Sequence, residues 1–421
     1  MTISRNHPAP AWVDHAIFWH VYPLGFTGAP IRPRDDGERV LTHRLGHLIG
    51  WLDHLIEVGC NALLLGPIFT STTHGYDTTD HFTIDPRLGD AADFDALVEA
   101  CRSRGIRLVL DGVFNHVSAG HPWYRAALTG PDAEENGLFR IDWADGAPRS
   151  ADFEGHRDLV ALNHHSPAVV DFVTTVMLHW LRRGIDGWRL DAAYAVPPGF
   201  WATVLPRVRA EFSDTWFLGE VIHGDYPGYV EASGLDSVTQ YELWKAAWSS
   251  LVDANFFELD HTLARHNDLL DTFTPQTFIG NHDVTRIATR VGAEAAVLAA
   301  ALLATVGGVP SVYAGDEDGF TGTKRETWGG DDDIRPMFPS APAELSALGA
   351  PMRRHYQDLL ALRRRHAWLV GARTTAVELS NTDYTYDTIG SQGRQLRVSL
   401  SLDPVSATIS EGGTTLWRYR A

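Results

Sequence analysis

This chain of 421 residues has few cysteines. Its sequence also shows no pattern of a signal peptide or of a membrane-spanning segment. The two cysteines, Cys60 and Cys101, are too few for a disulfide framework and show no metal-binding spacing, so we expect two buried thiols. No apolar run is long enough to span a bilayer. The first residues, MTISRNHPAPAW, lack the charged start and apolar stretch of a signal peptide. These absences favour a cytoplasmic protein with no membrane partner.

Positive charge is also in short supply, because 35 Lys and Arg face 53 Asp and Glu, for a formal net charge of -18. This balance argues against nucleic acid and anionic membrane surfaces as partners. The remaining composition, 44% hydrophobic and 21% charged, is that of a globular protein with a large core. Its 14 Trp, 12 Tyr and 18 Phe are consistent with a sugar-binding cleft, although most aromatic residues fill cores. The oligomeric state stays open.

Short apolar runs alternate with segments of helical periodicity along most of the chain. Predicted helices cover 43–57, 92–104, 167–183, 199–211 and 293–305. Predicted strands begin in the runs 16–26, 61–69, 106–116, 184–191, 215–221, 235–241, 276–283 and 309–317, of which 235–241 has the weakest pattern. Strands that alternate with helices form parallel βαβ units, and eight of them close a (β/α)8, or TIM, barrel. The sequence therefore predicts an α/β protein of this fold.

Two regions depart from the alternation. Residues 117–166 are rich in His, Asp, Gly and Pro and lack helical periodicity, which indicates an excursion after the third strand. After residue 370, turn residues separate four short alternating runs, which is typical of a small antiparallel β domain. The predicted boundaries are 1–116 with 167–367 for the barrel, 117–166 for the excursion and 368–421 for the C-terminal domain.

Polar residues directly follow several apolar runs, at the strand ends where such a barrel carries its active site. They are Asp111, Asn115 and His116 after the third strand, Arg189 and Asp191 on the fourth, Glu220 on the fifth, and Asn281, His282 and Asp283 on the seventh. Arg189 and Asp191 are two apart on a strand and therefore project together. We expect the arginine to lower the pKa of Asp191, as a nucleophile requires. The apolar run before Glu220 suits a general acid.

Four short segments resemble the signatures of the α-amylase family of retaining α-glycoside hydrolases: DGVFNH (111–116), GIDGWRLDA (184–192), GEV (219–221) and NHD (281–283). GVPSVYAGDE (308–317) resembles the last barrel strand of that family, and the likeness runs from about residue 16 to 365. The resemblance implies that 117–166 is domain B and the tail is domain C. It implies Asp191 as nucleophile, Glu220 as acid/base and Asp283 as transition-state stabiliser. Sugar-binding residues would be Tyr76, Asp111, His116, Arg189 and His282.

The calcium site of many α-amylases is incomplete in this chain. The family uses the asparagine of the first signature, here Asn115, and a Lys-His pair just after the nucleophile. In this sequence Ala192, Ala193 and Tyr194 follow Asp191, and the usual Asp-Leu-Asn late in domain B is Ala-Leu-Asn at 161–163. We therefore expect no cofactor and no metal, since calcium near Asn115 would have only part of its ligand set.

The segment HGYDTTDHFTIDPRLGD (74–90) is similar to the cyclodextrinase and neopullulanase branch, although the N-terminal module usual there is not seen before this barrel. Hydrolases of cyclic maltosyl-maltose are a subgroup that fits. The resemblance implies hydrolysis of α-1,4-glucosidic bonds by double displacement. The partner would be a short or cyclic α-glucan: a maltooligosaccharide, a cyclodextrin-like ring or cyclic maltosyl-maltose. Two alternatives stay open, transglycosylation by the same residues and a non-catalytic sugar-binding barrel. The loop 314–350 either shapes the cleft or is a solvated acidic loop.

Overall fold

Eight short parallel strands form one sheet in the computed structural model, which describes residues 9–144 and 146–421. They are β1 (Phe18–Val21), β2 (Ala62–Leu65), β3 (Arg107–Gly112), β4 (Gly187–Leu190), β5 (Trp216–Gly219), β6 (Ser237–Val238), β7 (Gln276–Phe278) and β8 (Val309–Tyr313). Their order is β6–β5–β4–β3–β2–β1–β8–β7, and a parallel bridge from Thr239 to Gln276 joins the two outer strands. The predicted (β/α)8 barrel is therefore confirmed.

The N-terminal residues 1–8 lie outside the described residues, as does Asp145. The predicted start of the barrel domain at residue 1 and part of the segment on which the signal-peptide expectation rests fall there.

Alternate residues of the barrel strands face opposite ways, and this alternation places the polar side chains. On β2, Leu64 joins the cluster that fills the barrel, whereas Leu63 belongs to the outer core beneath the helices. On β3 the inward-facing Val109 is buried in the inner cluster. Two residues later the same face carries Asp111. The inward positions thus change from apolar to polar towards the carboxyl ends of the strands.

Helices cover the outside of the barrel and separate its strands. They span Leu45–Ile49, Leu52–Val58, Ala91–Ser103, Pro167–Arg182, Pro198–Arg209, Tyr226–Ser233, Tyr241–Val252, Phe256–Leu269, Ile287–Val291, Ala293–Thr305 and Ala350–Arg365. The predicted helix 43–57 is interrupted at Gly50, whose poor helix propensity the hydrophobic pattern did not reveal. In the described part of the chain, none of these helices combines the length and apolarity needed to cross a bilayer.

Two insertions stand on the carboxyl-terminal side of the barrel. A hairpin of Phe69–Ser71 and Thr78–Ile84 follows β2. After β3, the strands His116–Ser118, Asp152–Phe153 and His156–Ala161 form a three-stranded sheet. The same insertion contains the paired strands Ile141–Asp142 and Arg149–Ser150 and the short helix Pro122–Ala127. Another short helix, Pro23–Phe26, follows β1, and both helices are too short to show periodicity in the sequence.

A five-stranded antiparallel sheet closes the chain, as the alternating runs predicted. Its strands are β9 (Arg373–Leu379), β10 (Asp383–Ile389), β11 (Gln395–Leu402), β12 (Val405–Glu411) and β13 (Thr414–Arg420), in that order. The sequence pattern missed β12 because Ser and Thr dilute its buried Ala407 and Ile409. The sheet packs against the helix Ala293–Thr305, where Thr305 bonds Tyr386 at 2.8 Å. This covering explains why that helix is apolar on every side.

Candidate active site

One arginine gathers three carboxylates at the ends of adjacent strands. Arg189 on β4 lies in register with Asp111 on β3 and Leu218 on β5. Its Nη1 atom is 2.5 Å from Asp111 Oδ2 and 3.4 Å from Asp191 Oδ1, and its Nη2 atom is 2.8 Å from Glu220 Oε1. Arg189 itself is 3% exposed. The parallel register thus brings together residues that are far apart in sequence.

The expected lowering of the Asp191 pKa is wrong. Burial, followed by the negative charge of Glu220, raises the pKa of Asp191 well above its ordinary value, and Arg189 offsets only part of this. The guanidinium lies closer to Asp111 and Glu220 than to Asp191. The spacing along one strand predicted that Arg189 and Asp191 project in the same direction. It did not predict that the carboxylate of Glu220, from the next strand, lies close enough to raise the pKa of Asp191.

Glu220 is fixed by three donors around its carboxylate. The backbone N–H of Ala192 donates to Oε2 at 3.0 Å, and the Tyr241 hydroxyl donates to Oε1 at 3.1 Å beside Arg189. Ala192 has left-handed backbone angles (φ 45°, ψ 38°), which are costly for alanine. The Tyr241 oxygen in turn accepts from the side-chain amide of Asn281 at 2.9 Å. These contacts hold one carboxylate in a single orientation beside Asp191.

Asp283 is the most solvent-accessible of the catalytic candidates, since its side chain is 34% exposed against 10% for Asp191 and 9% for Glu220. Its Oδ1 accepts from Arg335 Nη2 at 2.8 Å, and its Oδ2 lies 3.0 Å from His282 Nε2. Partial burial acts to raise the pKa of Asp283, but contact with His282 and then the charge of Arg335 lower it well below its usual range. Asp283 is therefore an ionised group facing the cleft.

Tyr76 forms a wall of the same site. It lies in the turn of the hairpin after β2, and its hydroxyl donates to Asp111 Oδ2 at 3.0 Å and contacts His282 Nε2. The rings of Tyr76 and His282 are parallel, with centroids 5.3 Å apart. His116 Nε2 donates to the Tyr76 carbonyl at 2.9 Å, and burial lowers the pKa of His116 to about 4. A neutral His116 thus holds Tyr76 in place through its backbone.

The loop 314–350 supplies a residue that the sequence analysis missed. Arg335 is 5% exposed, donates through Nε to the His282 carbonyl at 2.8 Å and lies 4.5 Å over the Tyr22 ring. Its Nη2 is also 3.3 Å from Asp331. The only signal in the sequence was an arginine four residues after Asp331 in an otherwise acidic run. The loop therefore reaches the catalytic residues and is more than a solvated segment.

The residues around Asn115 do not match the usual calcium ligands. The Asn115 side-chain amide donates to His116 Nδ1 at 3.1 Å, and the backbone carbonyl of Asn115 accepts from the Leu162 N–H at 3.0 Å. Tyr194, one of the residues found after Asp191 in place of the Lys-His pair, donates to Glu154 at 2.8 Å. Among the described residues, two other clusters have ligand-like spacing: His43 with Asp90 and Asp93, and His54 with Glu317 and Asp318. In each, the histidine already bonds a carboxylate, His43 that of Asp93 and His54 that of Glu317.

Comparison with known families and proteins gives a consistent result. The family profile described as alpha amylase, catalytic domain, matches residues 35–156 and 153–353, more than half of the chain. A cyclomaltodextrinase of Bacillus sp. is 32% identical over 340 residues, or 74% of this chain. An intracellular maltogenic amylase of Bacillus subtilis is 29% identical over 75% of this chain. The chain spans 61% and 57% of the lengths of these two relatives.

A solved structure shares nearly the whole fold. The cyclic α-maltosyl-(1→6)-maltose hydrolase from Arthrobacter globiformis superposes with a TM-score of 0.81 at 26% sequence identity. The match covers 98% of this chain and 100% of that one. The similarity thus includes both the barrel and the C-terminal sheet.

Proposed function

The chain belongs to the α-amylase family, and from this premise we propose that it hydrolyses α-1,4-glucosidic bonds in short or cyclic α-glucans with retention of configuration. The observation that carries the proposal is the pair Asp191 and Glu220, two buried carboxylates that a single arginine bridges. Retaining cleavage needs one ionised carboxylate and one protonated carboxylic acid on either side of the scissile bond. Asp191 and Glu220 are the two carboxyl groups placed for these roles, at the ends of adjacent strands.

In the first step, Glu220 gives its proton to the glycosidic oxygen while Asp191 attacks the anomeric carbon. The bond from the anomeric carbon to the leaving oxygen breaks, the leaving sugar departs with a hydroxyl group, and a glycosyl ester forms on Asp191. The Ala192 N–H and the Tyr241 hydroxyl orient Glu220 during the transfer.

In the second step, the ionised Glu220 takes a proton from water, and the water oxygen attacks the anomeric carbon. The ester bond breaks, which releases the sugar and restores both carboxyl groups to their starting states. Asp283 is partly exposed and ionised, so it can accept hydrogen bonds from sugar hydroxyls and stabilise the positive charge that develops on the ring. Five further residues shape and support the subsite of the cleaved sugar: Tyr76, Asp111, Arg189, His116 and His282.

The preference for small substrates rests on the insertions and on relatives. The hairpin 69–84 contacts Asp111, the segment 117–166 (taken as domain B) contacts Tyr194 just after β4, and the loop 314–350 contacts Asp283. These insertions would restrict a long polymer more than a ring. The Arthrobacter protein is named for a cyclic tetrasaccharide and was solved in complex with it. Another relative is named as an intracellular enzyme, which supports a cytoplasmic setting and imported oligosaccharides as substrates.

The test compares kcat/KM for cyclic maltosyl-maltose, maltotetraose and soluble starch at equal glucosyl concentration, with all products identified. We expect the better small substrate to exceed starch by about ten- to a hundredfold, which needs roughly 1.4–3 kcal/mol of differential transition-state binding. Asp191→Asn is the control for contaminating activity. Faster cleavage of starch would remove the short-substrate part of the proposal, and products longer than the substrate would show transfer to a sugar acceptor. No cleavage of any α-glucan would refute it.

A further inference from the structure

Trp328 is an exposed indole with one face already covered. It is 83% exposed, whereas every other tryptophan of the described residues is buried or half-buried. The guanidinium of Arg32 lies 5.2 Å from its ring centroid. Arg32 is held in turn by an ion pair with Asp332, and only 17% of its side chain is exposed. One face of the indole is therefore fixed by a cation, and the other face is open to solvent.

The loop that carries Trp328 also enters the active site. Three tight turns, closed by the bonds Gly330 N–H to Thr327 O, Asp332 N–H to Gly329 O and Arg335 N–H to Asp332 O, fold the chain between Trp328 and Arg335. Arg335 then contacts Asp283. Burial lowers the pKa of His74, two residues before Tyr76, and the charges of Arg335 and Arg32 add to this lowering. Contacts along the loop thus link the indole to Asp283, from Trp328 to Arg32 and Asp332 and then from Arg335 to Asp283.

We propose that the open face of Trp328 binds a glucosyl ring of the substrate, one or more sugars beyond the one that is cleaved. The C–H groups on a face of a pyranose ring form an apolar, slightly positive surface that matches the negative face of an indole. Arg32 is a positioning residue, because its stacking and its ion pair limit the rotation of the ring. This inference rests on the proposed function, since it requires an α-glucan in the cleft.

The experiment uses Asp191→Asn protein, in which the ligand is bound but not cleaved. Calorimetry gives Kd for maltose and for maltohexaose, with and without Trp328→Ala. We expect the substitution to weaken maltohexaose binding about tenfold, equivalent to about 1.4 kcal/mol, and to leave maltose binding within twofold. Trp328→Phe should keep most of the affinity. Because Trp328 is the most exposed indole, bound maltohexaose should also protect it from acrylamide quenching of fluorescence.

The matched control is Phe257→Ala, which removes an aromatic ring that is 50% exposed on the helix Phe256–Leu269. It should change neither Kd. Arg32→Met should give part of the Trp328→Ala effect, and the double variant should be no weaker than Trp328→Ala alone. Equal Kd values for maltohexaose with and without the indole would overturn the inference while leaving the proposed function intact. If no α-glucan binds to Asp191→Asn protein and the wild-type enzyme cleaves none, the proposed function fails instead.

Discussion

Arg335 offers a sharp test of how the site is held, because the chain supplies it from a loop far from Asp283 in sequence. In Arg335→Met the side chain keeps much of its length but loses the bonds to Asp283 Oδ1 and to the His282 carbonyl, both 2.8 Å long. A hydrogen bond to a charged group contributes about 1.5–3 kcal/mol. Because the Asp283 side chain is 34% exposed, hydrogen bonds from water would replace part of this contribution in the variant. We expect a loss near 1.5–2 kcal/mol, or roughly 10- to 30-fold in kcat.

The assay is steady-state hydrolysis of maltotetraose, with kcat and KM resolved and the melting temperature measured for each variant. If Asp283 acts in the transition state, kcat and kcat/KM fall together. Arg335→Lys keeps a charge but not the two-point contact, so its kcat should be intermediate. The matched control is Arg325→Met in the same loop, where the arginine is 61% exposed and pairs with Asp333 at 3.7 Å. Unchanged kcat in Arg335→Met, or a rise in KM alone, would refute this positioning role.

Further predictions concern the carboxylates and the metal. Asp191→Asn should abolish turnover and keep the melting temperature, because a neutral amide forms no glycosyl ester; residual turnover above contamination would contradict this. Glu220→Gln should fail mainly on poor leaving groups and recover on an activated aryl α-glucoside, and equal losses on both would exclude Glu220 as the acid. Asp191 must be ionised to attack and burial raises its pKa, so kcat/KM should fall as the pH drops through a value above about 3.9, the ordinary aspartate value. Prolonged chelation should leave activity and melting temperature nearly unchanged, and a loss that calcium restores would show that Asn115 has other partners.

The barrel was predictable because its signals are local. Runs such as that around β2 are apolar without interruption, since both faces of the strand are buried. The helix bounds 167–183 and 293–305 agree within a residue or two with Pro167–Arg182 and Ala293–Thr305. Strand β12 and the break at Gly50 were missed because Ser, Thr and a single Gly weaken periodicity without removing it.

The sequence predicted which site residues lie at the ends of strands. It did not predict contacts between segments that are distant in sequence. The strand-end positions of Asp191 and Glu220 follow from alternation, and parallel register brings them to one arginine. The contacts of Tyr241 with Glu220 and of Arg335 with Asp283 join separate segments whose approach no short pattern encodes. The same limit explains the wrong expectation for the pKa of Asp191, since that pKa depends on a carboxylate from another strand.

The central claim is retaining hydrolysis by the pair Asp191 and Glu220, and the anomer released first tests it most directly. Proton NMR of maltotetraose with the wild-type enzyme, recorded before mutarotation, distinguishes the α from the β form of the new reducing end. Double displacement predicts the α anomer, and it places the two carboxyl groups about 5–5.5 Å apart in a crystal structure. Initial release of the β anomer would show inversion and contradict the mechanism.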